Sequence, residues 1–113
     1  MPILSLVTNV EKIPQDFISS TSALVAKILG KPESYVAVHV KAGEQMSFGG
    51  TTEPCALATL KSIGSLGGDR NKSHSDKLFK HVHEKLGISK DRMYVQFVDL
   101  SPADVGYDGS TFA

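Results

Sequence analysis

Tryptophan is absent from this 113-residue chain, and cysteine occurs once, at Cys55. A single thiol excludes an intramolecular disulfide and any CxxC redox pair, so Cys55 reads as a small core hydrophobe. No stretch approaches the ~18 apolar residues that a membrane-spanning helix needs. Neither sign of charge is in excess, since twelve Lys and Arg face twelve Asp and Glu. A neutral chain with no basic run interleaved with aromatics argues against nucleic acid, or insertion at an anionic membrane, as its main business. The four histidines are not spaced as metal ligands. His81 and His83 stand two apart on a predicted helix and so point to different faces. No metal and no cofactor is expected. Gly67-Gly68 precedes a helix but is followed by no phosphate-loop pattern, and reads as a turn. The opening MPILSLVTNVEKIP has no basic n-region, and its short apolar run is broken by Ser5, Thr8 and Asn9. The expectation is synthesis in the cytosol, with any export by a leaderless route.

What is present suffices for one domain over residues 1–113, with 41% hydrophobic residues. Ile3 to Thr8 reads as a strand. Pro14 to Gly30 reads as a helix with Phe17, Ile18, Leu24, Val25, Ile28 and Leu29 on one stripe, Gly30 past its end and Pro32 blocking its continuation. Tyr35–Val40 is a strand, Met46–Thr52 a glycine-containing turn, and Cys55–Ile63 a further strand. Ser65–Asn71 is a Gly-rich loop into a helix that runs to Leu86, with Leu78, Phe79, Val82 and Leu86 on its apolar stripe. Met93–Val98 is a strand, and the tail after Pro102 is turn-rich. The order is strand, helix, strand, twice over. That predicts an α/β fold of two βαβ repeats, forming a four-stranded sheet with both helices on one face. The first strand is apolar on both sides, Ile3 and Val7 on one and Leu4 and Leu6 on the other. Two helices cannot cover both faces, so a second subunit is expected on the bare one.

Pro2 follows the initiator Met, and trimming of Met1 would leave a free secondary amine that no other residue supplies. A free α-amine titrates near ~7.7–8.0. Apolar burial or a nearby cation lowers that value, because both disfavour the ammonium, and the amine then serves as a general base at neutral pH.

Several segments resemble the macrophage migration inhibitory factor family. They are Met1-Pro2, Thr8-Asn9-Val10, Gly30-Lys31-Pro32, Tyr35 to Val40, Phe48-Gly49-Gly50, Glu53 to Leu57, Ser62-Ile63-Gly64, Ser89 to Arg92, and the tail from Val105 to Ala113. The resemblance covers essentially the whole chain. It implies a homotrimer whose sheets face a central channel, and a keto–enol tautomerase acting on phenylpyruvate- and dopachrome-type substrates. It also implies a leaderless secreted cytokine that binds the class II invariant chain and certain chemokine receptors. The alternative is a receptor-binding signalling ligand in which the tautomerase is vestigial.

Carried across residue by residue, the resemblance makes Pro2 the catalytic base and Lys31 the holder of the substrate carboxylate. Ser62 and Ile63 form the strand segment beside the pocket, where a backbone amide faces the substrate. Tyr94 comes from a neighbouring subunit, and Tyr35, Val105 and Phe112 are aromatic and apolar walls. Three positions depart from the family pattern. Gln96 stands where many members have the shorter Asn. Tyr107 stands where Trp is common, which makes one wall smaller. Ala58 replaces the second Cys of a CxxC, so no dithiol oxidoreductase activity is expected. Glu44 lies near the acidic position of the proposed chemokine-receptor loop but out of clean register with it.

Overall fold

The computed structural model describes all 113 residues. Its strands and helices are β1 (Pro2–Thr8), α1 (Phe17–Leu29), β2 (Ala37–Lys41), β3 (Ala56–Ser62), α2 (Gly68–Leu86), β4 (Met93–Asp99), β5 (Gly106–Tyr107) and β6 (Ser110–Thr111). The main sheet runs β2-β1-β3-β4. β1 pairs parallel with β2, and β3 pairs parallel with β4, so each helix is a crossover within its own half. The halves meet antiparallel along β1 and β3, with Pro2 opposite Ser62 at one end and Thr8 opposite Ala56 at the other. This is the doubled βαβ arrangement expected, with a local two-fold between the halves.

Alternation along the strands sorts the side chains. Leu4 and Leu6 of β1, with Ala58 and Leu60 of β3, point into the helical layer. They meet Phe17, Val25 and Leu29 of α1 and Leu78 and Val82 of α2 in one core. Burying each large side chain there contributes about 1.5–3 kcal/mol. The opposite face carries Ile3 and Val7, half-buried, and Leu57 and Tyr94, 49% and 67% exposed. Within one chain that face is uncovered.

Several boundaries differ from the sequence reading, each for a local reason. α1 begins at Phe17 rather than Pro14, because the Pro14 carbonyl closes a turn on the Phe17 N–H at 3.0 Å. Ile18 is 44% exposed and leaves the buried stripe, since it sits ~100° around the helix from Phe17. Thr21 takes its place among the buried residues, and its hydroxyl meets His81 Nε2 at 2.9 Å. Tyr35 ends a 3₁₀ turn over Glu33–Tyr35, so β2 starts only at Ala37. Gly68 to Asn71 belong to α2, whose entry is tied by Asn71 Oδ1 accepting from the Gly67 N–H at 2.9 Å. The tail is more ordered than its turn residues suggested. β5 and β6 form a hairpin through Asp108-Gly109, both at positive φ (50° and 83°), the pairing that a two-residue hairpin turn demands.

Candidate active site

The first strand begins at Pro2, so the chain terminus lies where β1 and β3 end together. Pro2 and its partner Ser62 are both buried. α1 stops nearby because Gly30 adopts a left-handed conformation (φ 64°, ψ 37°), which turns the chain back toward this end. Lys31 follows directly. Its Nζ donates to the Ile63 carbonyl at 3.0 Å, which holds the ammonium beside the terminus and leaves further donors free. The terminal amine, carried here by Met1, is held below the ordinary α-amine value, first by burial and then by the Lys31 cation. These are the two influences that make an amine a base at neutral pH.

Beside the terminus lies a cleft of about 290 Å³ lined by ten residues, eight of them hydrophobic. Met1, Ile3, Val36 and Val105 are among its lining residues. Tyr35, Tyr107 and Phe112 close it as an aromatic box. Tyr35 stands edge-on to Tyr107 at 5.4 Å and to Phe112 at 5.9 Å, while Tyr107 and Phe112 stack at 5.5 Å and 20°. The Phe112 N–H donates to the Val105 carbonyl at 3.2 Å, so the tail is folded into the wall. Tyr107 is therefore part of the box and not merely a smaller side chain in its place.

The structure thus gathers Pro2, Lys31, Tyr35, Ser62, Ile63, Val105, Tyr107 and Phe112 at one end of the sheet. It does not bring Tyr94 or Gln96 there within one chain. Asp99 is the residue of β4 level with Ser62, whereas Gln96 is level with Thr59 and Tyr94 with Leu57. Five residues of strand place Tyr94 roughly 16 Å from the Pro2 level. Tyr94 and Gln96 stand instead on the uncovered face, Tyr94 against Phe48 with ring centroids 4.9 Å apart. A part for either in this cleft requires a second copy of the chain.

Sequence reasoning passed over Ile3, Ser34, Val36, Ala37 and Gly106 as cleft residues, and Phe48 as the support of Tyr94. The alternation of β1 carried the signal for Ile3. Phe48 had none, because its place depends on Arg92, 44 residues away. The Arg92 guanidinium donates to the carbonyls of Phe48, Thr51, Glu53 and Pro54 at 2.9–3.3 Å and lies over the Phe48 ring. No three His, Cys, Asp or Glu side chains converge as a metal set, and no helix is long and apolar enough to cross a membrane.

The family model described as macrophage migration inhibitory factor matches residues 1–113. A macrophage migration inhibitory factor homolog of Trichinella spiralis is 56% identical, over 99% of this chain and 100% of the relative. The Xenopus tropicalis factor is 44% identical over the whole of both chains. Among solved structures, the Trichinella spiralis factor superposes with a TM-score of 0.95 at 55% identity, covering 97% of this chain and 99% of that one. The homologue from Prochlorococcus marinus gives 0.93 at 34% identity, covering 98% and 99%. Matched along its full length in sequence and in structure, the chain belongs to the macrophage migration inhibitory factor family.

Proposed function

We propose that the protein, once Met1 is removed, is a keto–enol tautomerase of small aromatic 2-oxo acids of the phenylpyruvate type. Family membership supports an isomerase of the tautomerase kind. The single observation that carries the finer reading is the terminal amine. With Met1 in place, the ammonium of that residue is disfavoured by burial and by Lys31 beside the aromatic cleft it lines, and the same two influences would act on the Pro2 amine. In the proposed reaction the Pro2 lone pair takes the proton from the substrate α-carbon, and the electrons of that C–H bond pass to the carbonyl oxygen. The oxygen gains a proton as the enol forms, so the change is an isomerisation that needs no co-reactant. Lys31 faces the carboxylate, and Tyr35, Tyr107 and Phe112 hold the ring. A homotrimer built on the uncovered sheet face would bring Tyr94 and Gln96 of one subunit toward the cleft of the next.

The test is the amine itself. Pro2→Gly should lower kcat/KM for phenylpyruvate by about 10²–10⁴-fold, the usual worth of a positioned base. One residue added ahead of Pro2 turns the amine into an amide and should abolish the activity. Because burial and Lys31, which lower the Met1 amine, would act on the Pro2 amine in the same sense, kcat/KM should rise with pH and level off below the ordinary α-amine range. An extended N-terminus that left the rate intact would refute the reading.

The same reading carries export without a leader and binding to the class II invariant chain and chemokine receptors. Culture medium of cells expressing the untagged protein would show the export. Receptor binding unaffected by Pro2→Gly would favour the signalling-ligand alternative.

A further inference from the structure

Ser62 is 0% exposed, and its hydroxyl has no hydrogen-bond partner. A buried hydroxyl left unpaired is uncommon and calls for an explanation. The two-fold between β1 and β3 supplies one. Thr8 occupies in β1 the place that Ser62 occupies in β3, each facing the first residue of the other strand. Thr8 Oγ1 is fully used: it donates to the Cys55 carbonyl at 2.7 Å and accepts from the Val10 N–H at 3.1 Å. That carbonyl belongs to the peptide bond entering β3. The corresponding donor two residues after Ser62, the Gly64 N–H, is taken by Asp99 Oδ1 at 3.0 Å. The carbonyl in the corresponding place is that of Met1, which the Ser62 hydroxyl does not meet in this structure and which trimming removes.

We propose that the Ser62 hydroxyl is a positioning group for the mature Pro2 nitrogen. It accepts the amine N–H, so that the lone pair faces the aromatic cleft. Register supports the reach, since Pro2 and Ser62 are directly paired and both side chains lie on the helix-facing side of the sheet. Such a bond is stronger to the ammonium than to the neutral amine, so it opposes the lowering that burial and Lys31, which depress the Met1 amine, would exert on the Pro2 nitrogen. The other charged and titratable groups near this end are Asp99, committed to Gly64, Lys61 on the opposite face of β3, the buried His74 of α2, whose Nε2 meets the Ser65 carbonyl at 2.8 Å, and the Tyr35 and Tyr107 phenols of the box. The inference rests on the proposed role of Pro2.

The test compares Ser62→Ala with Ser62→Thr in the trimmed protein, following phenylpyruvate tautomerisation against pH. Ser62→Ala should lower kcat about five- to tenfold with little change in KM. It should also move the acidic limb of the kcat/KM profile to lower pH by about half a unit to one unit. Ser62→Thr keeps an acceptor and should restore both. An unshifted limb in Ser62→Ala, or the same shift in Ser62→Thr, would overturn the proposal, because a merely structural loss would not move the base's titration selectively. A variant with one residue added ahead of Pro2, which turns the amine into an amide, is run alongside and separates the two ideas. If it retains activity, the base is another group and the proposed function fails. If it is inactive while Ser62→Ala behaves as the parent, the positioning role alone fails.

Discussion

The two ends of the β1–β3 ladder are built alike and finished differently. At the Thr8 end the polar side chains of Thr8, Asn9 and Arg92 are all committed. Asn9 Oδ1 accepts from the Cys55 N–H at 2.9 Å, its Nδ2 donates to the carbonyls of Thr52 and Glu53, and Arg92 gathers the carbonyls of the same strap. At the Pro2 end the residue in the place of Asn9 is Ile63, which offers no such side chain, and its carbonyl is taken by Lys31. One end is sealed by hydrogen bonds. The other is left with a terminal amine, a lysine and an orphan hydroxyl in apolar surroundings. The same backbone thus serves stability at one end and leaves reactive groups under-satisfied at the other, as is expected where chemistry is done.

The glycines that end the two helices show how little sequence separates these fates. Gly30 and Gly87 are both left-handed caps. After Gly87 the chain sends Ile88 into the core, 1% exposed, while after Gly30 it sends Lys31 to the open end. The family of contacts at each end follows from which side chain comes next.

The largest expected effect on stability lies at the sealed end. Arg92→Ala removes donors from four backbone carbonyls and should cost about 2–4 kcal/mol in urea unfolding. It should also release Phe48 and with it Tyr94. If stability is unchanged, the strap is held by something other than Arg92, and the contrast between the ends weakens.

The open end should answer in activity instead. Lys31→Ala should lower kcat/KM for phenylpyruvate about 10–100-fold, mainly through KM, while stability stays within ~0.5 kcal/mol. Lys31 is one of the causes that depress the amine, so its loss should raise the amine's pKa and move the acidic limb of the profile to higher pH. A limb that stays in place would mean that burial alone sets the base.

Much of the fold was legible because it is written in short-range pattern. The alternation of Ile3, Leu4, Leu6 and Val7, the two helical stripes and the glycine stops mark two βαβ units and a bare sheet face. The hairpin at Asp108-Gly109 was equally local and was read only as turns. The cleft was legible in part. Pro2 announces itself by position, but the approach of Lys31 to Ile63 spans 32 residues and becomes visible only when the strands pair. The roles assigned to Lys31, Tyr94 and Gln96 came from resemblance. For the last two a single chain supplies no geometry near Pro2, since they are level with Leu57 and Thr59 rather than with Ser62.

The smallest effect is the most direct comparison of the two ends. Thr8→Val is nearly isosteric, yet it strips the Cys55 carbonyl and the Val10 N–H of their partner in a fully buried site. It should cost about 1–2 kcal/mol, the penalty of leaving buried groups unsatisfied. Ser62→Ala in the chain that retains Met1 removes a hydroxyl that bonds nothing, and should change stability by less than ~0.5 kcal/mol in either direction. Parallel urea titrations of the two variants would measure the asymmetry. Equal losses would mean that the Ser62 hydroxyl already has a structural partner with Met1 in place, and that the open end is not open in the sense described. A loss confined to Thr8→Val would leave the Ser62 hydroxyl free for the amine that trimming uncovers.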